Sequence, residues 1–290
     1  MTPTLPSPLI QIYPDWPEAD KLTILVKRDD LIHPVISGNK WRKLRPLLNQ
    51  PDKSFTGVVS FGGGFSNHLH ALGYLCASRH IPFVAIVRGN YTDNPTPMLR
   101  DLHSWGATIR YVTKQEYRDR TDPVYLDALK RSYPNYTIIP EGGSQKDALQ
   151  GVAEIVGELP SSVDCILSPV ASGATLAGLS TAIQDHQQAL GIAVLKGEGY
   201  LESLVSGLLP TPNSRWKILH QYHHGGYAKT SESLLSFCKT FEEQTQIPVE
   251  PVYSGKMFFA LKDMISGGFF ESGKTVVALH TGGLQGARKV

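Results

Sequence analysis

Short apolar segments alternate with longer amphipathic ones along nearly all of this 290-residue chain. That alternation predicts an α/β fold in which parallel-rich sheets are flanked by helices on both faces. Two further observations point the same way. Three glycine-containing turns each follow an apolar strand and open a helix, as junctions in a parallel sheet do. No apolar run approaches the length needed to span a bilayer.

In chain order, Leu22 to Arg28 reads as a strand, and a basic helix opens near Asn39, with Pro46 early in it where a missing amide is better tolerated. Gly57 to Phe61 is an apolar strand followed by a helix from about Asn67 to Arg79. Strand Phe83 to Val87, helix Thr96 to Trp105, strand Thr108 to Val112, one polar helix over Lys114 to Arg131 and strand Thr137 to Ile139 complete a first group. A second group runs through helix Ala148 to Leu159, strand Val163 to Leu167, helix Ala174 to Gln187 and strand Ile192 to Lys196. It continues with a short helix at Ser203 to Leu208, strand Trp216 to Leu219, helices Ser231 to Thr245 and Lys256 to Ile265, and strand Thr275 to Leu279. The pattern predicts a small domain over 50–143 and a larger one assembled from 1–49 and 144–290.

A formal charge of +2 with dispersed basic residues leaves no nucleic-acid footprint. Met1 to Pro17 is proline-rich and lacks a cationic segment followed by an apolar core, so a cytoplasmic protein is expected. Cys76, Cys165 and Cys238 are odd in number and far apart, and read as reduced core thiols. No metal is expected: His223 and His224 have no further ligand spacing around them, and neither they nor His33 receive a role.

The chemistry centres on Ser37-Gly38-Asn39-Lys40-Trp41-Arg42-Lys43-Leu44-Arg45. Asn39 suits an N-cap and Gly38 the unusual angles of the turn, which puts Lys40 in the first helical turn. There the helix dipole and the neighbouring cations favour a neutral amine, the form that attacks carbonyl groups. Taken alone, a lysine in a basic run is more often a solvated surface group. Ser60-Phe61-Gly62-Gly63-Gly64-Phe65-Ser66-Asn67-His68 allows close backbone approach to a flat ligand and offers three polar side chains, although Ser66 or Asn67 also suits a plain helix cap. Ala171-Ser172-Gly173-Ala174-Thr175 opens a helix after a strand, a place where free amides and hydroxyls cradle a phosphate or where a tight turn simply packs. Thr281 follows the last strand, and Tyr227 and Tyr253 sit in turns between, as stacking faces and proton handlers or as ordinary core tyrosines.

Four of these stretches occur together in order: Ser37 to Leu44, Gly63 to His68, Pro251-Val252-Tyr253-Ser254-Gly255-Lys256 and His280-Thr281-Gly282-Gly283. Their joint occurrence resembles the pyridoxal-phosphate-dependent D-cysteine desulfhydrase and 1-aminocyclopropane-1-carboxylate deaminase family over Leu25 to Gly283. The resemblance implies a two-domain tryptophan-synthase-β-like fold (fold type II of these enzymes), a homodimer, and pyridoxal 5′-phosphate as cofactor. It further implies that Lys40 forms the Schiff base, that Asn67 meets the cofactor's phenolic oxygen, and that Ala171, Ser172, Gly173, Ala174 and Thr175 hold its phosphate. Tyr253 would lie against the ring, Tyr227 would be a second active-site tyrosine, and Ser66, with Asn67 and His68, would line the substrate carboxylate.

One departure bears on substrate. The deaminases place a glutamate after the tyrosine, against the pyridine nitrogen; here that position is Ser254, so Ser254 or Thr281 would face the nitrogen with a neutral hydroxyl. A weaker electron sink suits β-elimination from D-cysteine better than opening a cyclopropane ring. The phosphate stretch is also less glycine-rich than the family's. The expected activity is therefore D-cysteine desulfhydration, with 1-aminocyclopropane-1-carboxylate deamination as the alternative and a non-catalytic cofactor or amino-acid binding protein as the alternative of another class.

Overall fold

The computed structural model describes residues 3–48 and 56–288. Its strands are β1 (Leu9–Gln11), β2 (Thr23–Lys27), β3 (Gly57–Gly63), β4 (Phe83–Arg88), β5 (Thr108–Val112), β6 (Tyr136–Ile139), β7 (Cys165–Val170), β8 (Gln188–Ala193), β9 (Trp216–Leu219) and β10 (Thr275–Leu279). The helices are α1 (Asn39–Leu48), α2 (Asn67–Ser78), α3 (Pro97–Ser104), α4 (Lys114–Arg118), α5 (Pro123–Ser132), α6 (Asp147–Gly157), α7 (Ala174–Ala182), α8 (Tyr200–Leu208), α9 (Glu232–Thr245) and α10 (Ser254–Ser266).

Two sheets result. One has the order β1-β2-β10-β7-β8-β9, the other β5-β4-β3-β6. Only β1 runs antiparallel to its neighbour; every other pairing is parallel. Side chains of a strand alternate between faces, and the buried residues obey that period. Ile24, Val26, Val276 and Ala278 pack on the α9 and α10 side, while Val277, Leu279 and Ile166 pack on the side of α6 and α7. In the smaller sheet Val58, Ala85 and Val87 face one core, and Val59, Phe61 and Ile86 the other. With both faces covered, strand ends are the places left open for a ligand.

Several boundaries depart from the sequence reading. The single polar helix expected over Lys114 to Arg131 is two helices, because Asp122 accepts hydrogen bonds from the amides of Val124 and Tyr125 and Pro123 opens the second. The helix expected to reach Gln187 stops at Ala182. The Gln187 side chain instead accepts from the Gln184 amide and donates to Val163 O, which starts β8 four residues earlier than expected. The strand β1, three residues long and too short to signal itself, was not anticipated. The boundary expected near residue 50 lies outside the described residues.

Helix α1 is seated by buried charge. Arg42, 1% exposed, binds Asp29 through Nε (3.2 Å) and Nη2 (2.9 Å), and Glu158 through Nη1 (2.6 Å) and Nη2 (2.9 Å). Lys27 meets Glu158 at 2.6 Å and donates to Ser7 O, while the Ser7 hydroxyl donates to Asp29. Burial pushes the Glu158 carboxyl upward, yet Arg42 and Lys27 outweigh it and hold the group down to about 2. Removing one member leaves its partners buried and unpaired. Arg42→Ala is therefore expected to destabilise the protein by about 3–5 kcal/mol, read from its urea midpoint, against under about 1 kcal/mol for exposed Lys130→Ala.

Candidate active site

The carboxyl ends of β2, β10 and β7 stand side by side, with Leu279 in register with Lys27 and Ala278 with Leu167. The turns that follow them meet. Gly38, at φ +67°, lies so close to the chain after β10 that a β-carbon there would come 1.8 Å from Thr281 O, so only glycine fits. The Gly38 amide donates to Asp29 O and the Asn39 amide to Thr281 O. Asn39 begins α1, and its side chain reaches across rather than capping. Its Nδ2 donates to Thr175 Oγ1 at 2.8 Å, in the first turn of α7, and its Oδ1 accepts from Lys40 Nζ at 2.7 Å.

Lys40 titrates low, as expected, for a different reason. Burial pushes its ammonium down to about 8, with Glu250 pulling the other way. The neighbouring cation Arg42 is neutralised by Asp29 and Glu158. Lys43, one turn on and 3% exposed, goes well below its ordinary value through burial and then Lys40. No hydrogen bond or ion pair engages it among the described residues.

From the smaller sheet, Ser66 caps α2 by accepting from the Leu69 amide, and a β-carbon at Gly62 would strike its hydroxyl at 2.6 Å. Asn67 approaches the other sheet: its Oδ1 accepts a close hydrogen bond from Gln285 Nε2, which leaves its own amide hydrogens free to donate. His68 turns inward. Ser60 Oγ donates to Ile139 O and so accepts from His68 Nε2 at 2.8 Å, leaving Nδ1 as a buried acceptor with no partner. Burial, then Lys40 and Lys43, push this ring down to about 3, so it is neutral.

The third side of the crevice is the turn after β9 and the start of α10. Tyr227 and Tyr253 share a hydrogen bond of 2.9 Å between their hydroxyls, with ring centroids 6.0 Å apart and near-perpendicular planes. Burial raises both phenols, so both are protonated at neutral pH. Behind Tyr253 lies a residue that sequence reading passed over. Glu250 accepts from the amides of Val252, Tyr253 and Ser254 at 2.7, 2.9 and 2.7 Å and from the Ser254 hydroxyl at 3.1 Å. Burial lifts its carboxyl to about 7 against those four donors. Ser254 is thus committed to Glu250, and Ser172 to Ser144 at 2.5 Å. An acid four residues ahead of a helix start was the available signal for Glu250; Lys43 had its spacing of three from Lys40, and Gln285 had none.

His33 is structural, its Nδ1 accepting from the amides of Val35 and Ile36 and its ring stacked on Trp41. His223 and His224 serve local turns. No cluster of metal-ligating side chains occurs among the described residues. The three cysteines are free and buried.

A planar ring bearing an aldehyde and a phosphate fits what is present. Lys40 supplies the amine, and the first turn of α7 supplies amides that have no acceptor within their helix. The unpaired Lys43 is the cation a phosphate would compensate.

The description "Pyridoxal-phosphate dependent enzyme" matches residues 2–282. The chain is 32% identical to a putative 1-aminocyclopropane-1-carboxylate deaminase of Thermotoga maritima, covering 91% of this chain and 89% of that protein. It is 28% identical to the bifunctional mitochondrial D-cysteine desulfhydrase/1-aminocyclopropane-1-carboxylate deaminase of Arabidopsis thaliana, covering 97% and 77% of the two chains. The crystal structure of a 1-aminocyclopropane-1-carboxylate deaminase homologue superposes with a TM-score of 0.82 at 24% identity, over 99% of this chain and 92% of the other, and shares its fold. Sheet order, crevice and match over almost the whole length agree: the chain belongs to the pyridoxal-phosphate dependent enzymes and has their tryptophan-synthase-β-like, type II fold.

Proposed function

We propose that this enzyme is a lyase that converts D-cysteine and water to pyruvate, ammonia and hydrogen sulfide. The observation that supports this reading is Glu250, which Lys40, a low-titrating lysine, feels electrostatically and which holds the backbone of Tyr253, one of a protonated, hydrogen-bonded pair with Tyr227. Pyridoxal phosphate, when bound, withdraws electrons from the substrate α-carbon. Asn67 would hold the ring's oxygen, and Ala171 to Thr175 with Lys43 would hold the phosphate. Thr281 would be the hydroxyl left for the ring nitrogen, since the Ser254 hydroxyl is committed to Glu250. Ser66 and Asn67 receive the carboxylate, and His68 buttresses their loop from Ser60.

Lys40 as a free amine accepts the α-proton. The Cβ–S bond then breaks with its electron pair on sulfur, and the protonated tyrosine pair supplies a proton to the departing thiolate. Water takes up the released enamine to give pyruvate and ammonia. The small sheet with its helices forms one domain and the large sheet the other, in a homodimer of the cytoplasm. Three buried, unpaired thiols support that compartment, and no helix among the described residues is long and apolar enough to cross a membrane.

A second reading has support of its own. The Thermotoga maritima relative is named a putative 1-aminocyclopropane-1-carboxylate deaminase, and Glu250 brings a carboxyl within 3.1 Å of the Ser254 hydroxyl, beside the position where the deaminases have their glutamate. That substrate has no α-proton, so a base or nucleophile must open its ring. The two part on the residue at 254.

Pyruvate release from D-cysteine, L-cysteine and 1-aminocyclopropane-1-carboxylate decides between them. D-cysteine alone is expected to react, and Ser254→Glu should add ring-opening activity; reaction of the cyclopropane substrate alone would overturn the primary reading. Lys40→Ala should lose both turnover and the visible absorbance of bound cofactor, and retaining both would sink the assignment. The amine's low titration has a kinetic signature. Cofactor-free protein should take up pyridoxal phosphate faster as pH rises, with a midpoint near 8 and a plateau about one pH unit higher, where Lys40 is largely neutral. A rate still climbing toward 10 would assign it an ordinary lysine pKa.

A further inference from the structure

We infer that Lys256 is a positioning residue that fastens the turn carrying Tyr227 to the end of the large sheet. Lys256 lies in the first turn of α10 and is fully buried. Its ammonium donates three hydrogen bonds, to Val194 O at 3.1 Å, His223 O at 2.9 Å and Gly226 O at 2.8 Å. An ammonium has three donors, and all three are used on backbone carbonyls. Val194 directly follows β8, whereas His223 and Gly226 belong to the turn that ends at Tyr227. One cation therefore ties the turn after β9 to the end of β8, beyond the last ladder pair of the two strands, Ile192 with Leu219.

The turn needs such a tie. His224 at φ +48° and Ala228 at φ +54° hold the left-handed conformation that non-glycine residues disfavour, on either side of Gly225 at +92° and Gly226 at +126°. Tyr227 is 48% exposed, and its one hydrogen bond is to Tyr253. Two further side-chain links join the turn to α10, Tyr222 Oη to Asp263 at 2.9 Å and the His224 ring edge-on to Phe259 with centroids 4.7 Å apart. Tyr253, Lys256 and Asp263 are spaced three and seven apart, so they share one face of the helix. That face grips the turn at Tyr227, at its carbonyls and at Tyr222. A lysine buried without a carboxylate in contact is costly unless its hydrogen bonds are filled, and here the filled bonds are the clamp.

The catalytic consequence rests on the reading of Tyr227 as a proton donor, so the experiment separates the two. Hydrogen exchange of the holoenzyme would be followed by mass spectrometry in wild type, Lys256→Met and the milder Lys256→Gln, with kcat and KM for D-cysteine in each and in Tyr227→Phe and the Lys256→Met/Tyr227→Phe double variant. Faster exchange confined to residues 220–229 is expected, larger in Met than in Gln. A loss of about 10- to 100-fold in kcat, with KM less affected, should accompany it. Because Lys256 acts through Tyr227, the double variant should lose no more than the worse single one. Unchanged exchange at 220–229 in the Gln variant, exchange raised evenly across the sheet, or multiplicative losses in the double variant would each overturn the inference. Full turnover by Tyr227→Phe would instead remove Tyr227 from the chemistry, and the exchange pattern would then decide the clamp by itself.

Discussion

Where α1 begins is the constraint on which the site depends. Lys40 stands between two fixed points of that helix. On one side the Gly38 turn presses against Thr281 O at a distance no side chain tolerates; on the other Arg42 is locked between Asp29 and Glu158. The charges of this second anchor cancel, since Lys27 and Arg42 face Asp29 and Glu158. Such a cluster contributes less to net stability than well-packed apolar groups of the same volume would. What it fixes is the helix's rotation and register, and through them the direction of Lys40.

Around the crevice the charges do not cancel. Lys43 and Lys256 are buried and Lys40 is half-buried, and Glu250 is the carboxylate that Lys40 and Lys256 feel. Burial pushes each of the three amines down, and Lys40 depresses Lys43 further. Such a site is prepared for an anion, and the amides at the start of α7 add to that preference. A phosphate dianion bound beside Lys43 would oppose the burial and the smaller Lys40 repulsion that hold its pKa down. Lys43 would then gain charge as the phosphate arrives, whereas Lys40, joined to the cofactor's aldehyde carbon, would not.

The fold was legible because both sheets are buried on two faces, so that strands such as Phe83 to Val87 and Val276 to Leu279 read as unbroken apolar runs. Strand β1 was not, because three residues pairing at an edge carry no periodic signal. In the site, the legible residues were those on glycine-marked turns: Gly38 to Lys40, Gly62 to Asn67 and Ser172 to Thr175. The partners that make those turns work lie elsewhere in sequence. Gln285 meets Asn67 across 218 positions and Arg42 meets Glu158 across 116. Pairings of that separation come from tertiary packing and leave no local pattern. The low titration of Lys40 was anticipated from the helix dipole and neighbouring cations, yet burial causes it, and burial is not a property of a nine-residue stretch.

Glu250 shows how closely framework and chemistry are joined at α10. Four donors converge on one carboxylate, three of them amides that the helix start would otherwise leave unsatisfied. Those bonds fix Tyr253, whose hydroxyl meets Tyr227, and they orient the Ser254 hydroxyl away from the crevice. A glutamate at 254 would therefore bring a second carboxylate against Glu250, and two like charges in a buried space cannot both ionise cheaply. Either Glu250 takes a proton, and its lift to about 7 by burial makes that affordable near neutral pH, or the new side chain swings out toward the ring nitrogen. Both outcomes raise the proton density around that nitrogen, which is why the identity of one small residue beside a buried acid bears on the strength of the electron sink.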